Sequence, residues 1–188
     1  MVRFLLAGLF AMLLFGSAQA ADDPALGALQ RAAEKGAATA QLELASHYMM
    51  GRGIAQDPKI ARVWYEKAAN QGNLKAQTIL GLLYANGTGV KPDAAMAAKW
   101  LKRAALQGAP TAQLTLGAIF AEGKGVPQDY IQSHIWFSLA ASKLPPGTAR
   151  RVALQLRQGV SRKMSSEQID EATTQAQGLR SYEKGLGK

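Results

Sequence analysis

Few side chains in this sequence are of the types that catalysis or metal binding needs, and most of those that are have a simpler role. Asp57, Asp93 and Asp129 stand 36 residues apart, each ahead of an apolar helical run, and Asp57 is followed directly by Pro58. Carboxylates brought to one site could do acid-base work, but these positions are those of helix N-caps, with proline tolerated just inside. His47 and His134 form no obvious ligand pair, and other candidate ligands are few. The turns Gly51-Arg52-Gly53, Gly87-Thr88-Gly89 and Gly123-Lys124-Gly125 lack the preceding strand and third glycine that phosphate binding requires. No serine lies in a strand-turn-helix nucleophile motif. The absence of cysteine excludes disulfides, thiolate zinc sites, a cysteine nucleophile and lipid attachment through an N-terminal cysteine. No catalytic, cofactor-binding or metal-binding residue is therefore assigned. An enzyme reading, such as a weak hydrolase of cell-wall peptides, has no group to carry it.

The elements that hold these residues repeat with a period of 36 residues, starting at Gly36, Gly72 and Gly108. Ala40, Ala76 and Ala112 correspond, as do Gln41, Gln77 and Gln113; Leu44, Leu80 and Leu116; and Tyr48, Tyr84 and Phe120. After the glycine turns come Ile54, Val90 and Val126, the three aspartates, Trp64, Trp100 and Trp136, and the pairs Ala68-Ala69, Ala104-Ala105 and Ala140-Ala141. Such periods mark a stacked-repeat architecture. In each unit the residues up to Tyr48 or its equivalent share one helical face, and glycine in the left-handed conformation ends that helix. A second helix starts at the aspartate and carries an apolar stripe through the tryptophan to the alanine pair. The expected fold is all-α: a right-handed solenoid of antiparallel helix pairs, with alanines at close crossings and tryptophans filling the gaps between units.

The flanks follow the same register. Residues 21–35 read as a half-unit, a single helix capped by Asp23 with Pro24 inside it, covering the first face of the stack. Residues 36–71, 72–107 and 108–142 are the three full units. Continuing the offset places Val152 on Leu116, Ala153 on Gly117, Leu156 on Phe120, Gly159 on Gly123, Ser165 on Asp129 and Ala176 on Ala140. Ser165 with Gln168 forms a capping box at the required helix start. Residues 143–180 are thus expected to be a degenerate fourth unit that caps the stack, and residues 181–188 a frayed tail.

Residues 1–20 have the form of a cleavable signal peptide, with Arg3, an apolar block from Phe4 to Phe15 and Ala18-Gln19-Ala20. The expected location is periplasmic or secreted, with no stable membrane insertion, although retention as an anchor stays open. The formal net charge is +9. It points to anionic partners through long-range attraction. Export makes nucleic acid an unsuitable target, so anionic envelope components or an acidic protein face are expected instead.

The motif Ala-Gln-x-x-Leu-Gly-x-x-Tyr/Phe-x-x-Gly-x-Gly-Val, followed by Asp and Ala-x-x-Trp-Leu/Phe-x-x-Ala-Ala, resembles the Sel1-like repeat family, relatives of the tetratricopeptide repeat. The middle copy matches it at Leu80-Gly81, Tyr84, Gly87, Gly89-Val90, Asp93, Ala97, Trp100-Leu101 and Ala104-Ala105. The departures are Ala45 for glycine, Thr78 for an apolar residue and Ser133 for alanine. The resemblance implies a non-enzymatic adaptor or scaffold that binds a protein, peptide or helix on the concave face formed by the first helices. It carries no activity, because the shared residues are those that build the stack. The candidate contact residues on that face are Glu43 and Met50 in the first unit, Lys75, Ile79, Leu82 and Asn86 in the second, and Thr111 and Thr115 in the third. Ile79 and Leu82 are either a docking strip or part of a tight superhelix. A second surface, with Arg150, Arg151 and Arg157 in the densest basic stretch, is either an anion-contact patch or a solvated capping face.

Overall fold

The computed structural model describes residues 23–123 and 125–186; the expected signal peptide lies outside them. Among the described residues there are nine α-helices and no strand: α1 (Pro24–Glu34), α2 (Ala38–Met50), α3 (Pro58–Asn70), α4 (Leu74–Asn86), α5 (Ala94–Leu106), α6 (Pro110–Glu122), α7 (Tyr130–Lys143), α8 (Thr148–Ser161) and α9 (Ser166–Leu186). No described helix is long and apolar enough to cross a membrane.

Helix limits follow from the caps. Asp57 Oδ1 accepts hydrogen bonds from the backbone N–H groups of Lys59 and Ile60 at 2.9 and 3.0 Å. Asp93 and Asp129 do the same for Met96 and Gln132, both at 2.9 Å. Asp23 caps α1 through Ala25. These contacts satisfy donors that a helix start otherwise leaves open. Gly51, Gly87 and Gly123 end α2, α4 and α6 with φ of 68°, 76° and 67°, in the left-handed region. In the second and third units the second glycine of the turn also lets units approach. A Cβ on Gly89 would lie 2.5 Å from the Pro58 carbonyl oxygen, and one on Gly125 would lie 2.6 Å from the Ala94 Cβ.

Within a unit the first helix packs on the second, and the second packs on the first helix of the next unit. Gly81 and Gly117 bring these pairs together: a Cβ there would meet Leu101 at 2.5 Å and Phe137 at 2.7 Å. Alanines 61, 68, 69, 97, 104, 105 and 140 have no exposed surface. Trp100 and Trp136 are buried as expected, but Trp64 is only half-buried, with the Lys67 ammonium 3.8 Å from its ring centroid.

Polar groups tie the joints between units. Gln41, Gln77 and Gln113, all buried, donate from Nε2 to the carbonyls of Ala33, Ala69 and Ala105 at 3.0, 3.0 and 3.1 Å. Gln71 and Gln107, at the ends of α3 and α5, donate in turn to the Oε1 atoms of Gln41 and Gln77 at 2.7 and 2.8 Å. Each joint therefore carries an amide whose hydrogen bonds span two units.

The C-terminal segment departs from the register. Val152 and Leu156, expected in the core, are exposed, whereas Ala153 and Val160 are buried. Gly159 lies inside α8 and does not end it. The capping box at the start of α9 is present, with Ser165 N–H donating to Gln168 Oε1 and Gln168 N–H to Ser165 Oγ. Helices α8 and α9 each pack on α7 and scarcely on each other. Helix α7 is consequently buried without interruption from Ser133 to Ala141. The physical reason for the departure is this wrapping: a helix that covers α7 as a lid presents a different side from one paired in a hairpin. Beyond Ser181, where the sequence predicts fraying, α9 continues to Leu186.

Candidate functional site

The curvature of the stack identifies its inner face. The first helices α4 and α6 come into direct contact, and no two second helices of the three full units do so to the same extent among the described residues. Between the second and third units the first helices are thus the closer pair, which makes their side the inner one.

The residues proposed for that face divide by exposure. Glu43, Met50, Lys75, Asn86 and Thr111 are exposed, Met50 at 56%. Leu82 and Thr115 are half-buried, and Ile79 is half-buried and packed against the core. Thr115 Oγ1 donates to its own helix at the Thr111 carbonyl, 2.9 Å away. Ser46, the first-unit equivalent of Leu82, turns toward α3 and lies 3.1 Å from the buried Tyr65 hydroxyl. The face therefore combines a polar margin with aliphatic surface centred on the second unit.

At its C-terminal end the face runs into a depression of about 310 Å³ between α6, α7 and α8. Ala118 and Glu122, the third-unit equivalents of Leu82 and Asn86, form one wall; Leu156 and Gly159 of α8 form the other. Leu156 is 42% exposed. Lys163 stands at the edge, its Nζ 3.4 Å from the Tyr130 hydroxyl and 5.1 Å from the ring centroid. The sequence register places Leu156 on Phe120, so its part in this depression was not legible: Val152, Ala153, Leu156 and Val160 form one aliphatic stripe on α8, and packing decides which edge of it is exposed.

The basic residues separate into two environments. Arg150 and Arg151 are exposed on α8. Arg157 is half-buried and lines a cleft between α8 and α9. His134 lies at the floor of that cleft, and burial, followed by the nearby Arg157 charge, lowers its pKa from the ordinary 6.5. His47 is elsewhere, with Nδ1 2.7 Å from the Arg52 carbonyl. Among the described residues no cluster of His, Asp or Glu could hold a metal.

A family model described as Sel1 repeat matches residues 38–73, 74–108 and 110–143. A Sel1 repeat protein from Oxalobacter formigenes is similar in structure, with 34% identity and a TM-score of 0.62 over 71% of this chain and 97% of that one. The protein c5321, a protective antigen present in uropathogenic Escherichia coli strains and displaying an SLR fold, matches at 35% identity and a TM-score of 0.62. That match covers 76% of this chain but only 34% of c5321. No curated protein sequence matches the chain. Sel1 repeat proteins are generally protein-protein interaction adaptors. On the repeats matched and the structure shared, the chain belongs to the Sel1 repeat family.

Proposed function

We propose that this protein is a non-enzymatic adaptor of the cell envelope that holds a peptide or helix of a partner protein along the inner face of its first helices. The observation that carries this reading is aliphatic surface on the first helices, at the exposed Met50 and the half-buried Leu82, together with the depression between α6, α7 and α8 lined by Ala118 and Leu156. Aliphatic surface left in a concave place and bordered by polar residues is suited to an amphipathic helix or an extended peptide. The margin of Glu43, Lys75 and Asn86 supplies polar contacts that fix register rather than affinity. The envelope location rests on the expected signal peptide in residues 1–20.

Capture from envelope extracts, at low and high salt, tests this function. Binding through the inner face gives protein partners that stay bound at high salt. A second reading, as a binder of anionic envelope polymers, is favoured by the exposed Arg150 and Arg151 and by the net charge of +9. That mode gives polymer that salt releases, because exposed charges are screened within about 10 Å at 0.1 M salt.

A further inference from the structure

We propose that the cleft between α8 and α9 is a binding site for a small molecule that bears one carboxylate and an apolar part. The site exists because α8 and α9 lie apart on α7: their separation leaves a space of about 560 Å³ floored by His134. That volume is in the range of small-ligand pockets, about 300–1,000 Å³. Leu154, Arg157 and Ser161 of α8 form one side, and Ile169 and Thr173 of α9 the other.

Two features mark the cleft as a place for a ligand. His134 is only 4% exposed, yet its Nδ1 has no hydrogen-bond partner. Buried polar atoms are nearly always paired; Trp100 Nε1, Trp136 Nε1 and Arg180 Nε share this state, but of these groups only His134 lines a cleft together with Arg157. Arg157, half-buried beside it, has no carboxylate partner among the described residues. The repeat provides an internal contrast. The positions equivalent to His134 are Arg62 and Ala98. Arg62 is matched on its own helix by Glu66, 3.1 Å away, while the residue four after His134 is Ser138. The third unit thus places a hydrogen-bonding residue without its own acid beneath the cleft.

The chemical class follows from the lining. A single guanidinium offers a planar pair of N–H donors that fits a carboxylate. Arg157 is the one charged residue lining the cleft; α9 contributes the uncharged Ile169 and Thr173. His134 is kept neutral near pH 7 by burial and by Arg157, so it adds a hydrogen bond and no second charge. One positive charge matches a monocarboxylate better than a phosphate dianion, and Leu154 and Ile169 supply an apolar surface for the rest of the ligand. Exposed Thr173 and Gln158 leave the cleft open to solvent.

The test uses the full-length protein and the imidazole NMR signals of its two histidines. N-acetyl-leucine is titrated in, with the uncharged N-acetyl-leucinamide and inorganic phosphate in parallel. Saturable movement of the His134 signals with N-acetyl-leucine, with His47 unmoved, is the expected result. The amide should bind more weakly by on the order of tenfold, as should the acid to Arg157→Gln. The proposal is overturned by the absence of a saturable His134 response, by equal binding of acid and amide, by undiminished binding to a folded Arg157→Gln protein, or by a preference for phosphate. The acid-amide comparison is made on the unaltered protein and does not depend on the variant folding.

Discussion

The side-chain amide of Gln77 donates a 3.0 Å hydrogen bond to the carbonyl of Ala69, eight residues earlier and in the preceding unit. Its Oε1 accepts from Gln107 at 2.8 Å, so one buried side chain joins the end of α3 to the end of α5 through α4. Replacing Gln77 with leucine preserves volume but removes two hydrogen bonds, leaving the Ala69 carbonyl with the Gly72 N–H and the Gln107 amide without its Gln77 acceptor. The expected loss is about 1–3 kcal/mol in urea unfolding. Gln107→Leu, at an exposed position, should cost less. Equal losses would contradict the role assigned to the buried amide.

Gly81→Ala is expected to destabilise, although alanine favours helix by about 1 kcal/mol. The new methyl would lie 2.5 Å from Leu101 Cγ, and overpacking of this kind costs about 1–3 kcal/mol. The first unit holds Ala45 at this place with Tyr65 in the place of Leu101, which indicates that the pair must change together. Leu101→Ala, which leaves a cavity in the unaltered protein, should therefore cost less when added to Gly81→Ala, as urea unfolding of the two single variants and the double variant would reveal.

Trp100→Ala should cost about 3–5 kcal/mol, because the side chain is 3% exposed and fills the space between units. Trp64→Ala removes a half-buried ring and should cost roughly half as much. If the two losses are alike, burial between units is not what makes the tryptophans stabilising.

Burial and then the Arg157 charge hold the His134 imidazole below its ordinary 6.5. The unfolded chain binds a proton at this group near 6.5, so below that value the unfolded state takes up more protons than the folded one. Stability from this group is fully present above about 6.5 and is lost as pH falls through the folded value. Melting temperature should accordingly decline from about pH 7 to about pH 5, and His134→Gln should decline less steeply. A variant with an unchanged slope would remove His134 from the explanation.

Most of the fold could be read from the sequence because three copies record the same local rules. The aspartate caps, the left-handed glycines and the alanine crossings each act within a few residues of themselves, and repetition made them visible at Asp57, Asp93 and Asp129. The repeated glutamines were also visible, but their function depends on carbonyls in the preceding unit, which the pattern alone does not indicate. The buried side of α8 was misread for a related reason, although both terminal helices and the Ser165 capping box stand where the sequence places them. Matching Val152 and Leu156 to core positions assumes that α8 pairs with α9, while both pack on α7. The depression at Leu156 and the cleft over His134 are products of that packing, so neither had a sequence signature of its own. The inner-face residues were legible as a set through their spacing; which of them remain exposed depended on packing, as with Ile79 against the core and Ser46 against Tyr65.

Site-specific photo-crosslinking tests most directly whether the inner face holds the partner. A photoreactive residue at Leu82, on the first helix α4, is compared with one at Val63, a 42% exposed aliphatic on the second helix α3. Both positions offer aliphatic surface, so hydrophobicity alone does not separate them. With envelope extract at high salt, the account predicts a discrete protein adduct from Leu82 and none from Val63. Adducts from Val63 alone, or from neither position while the protein still captures a partner, would contradict it.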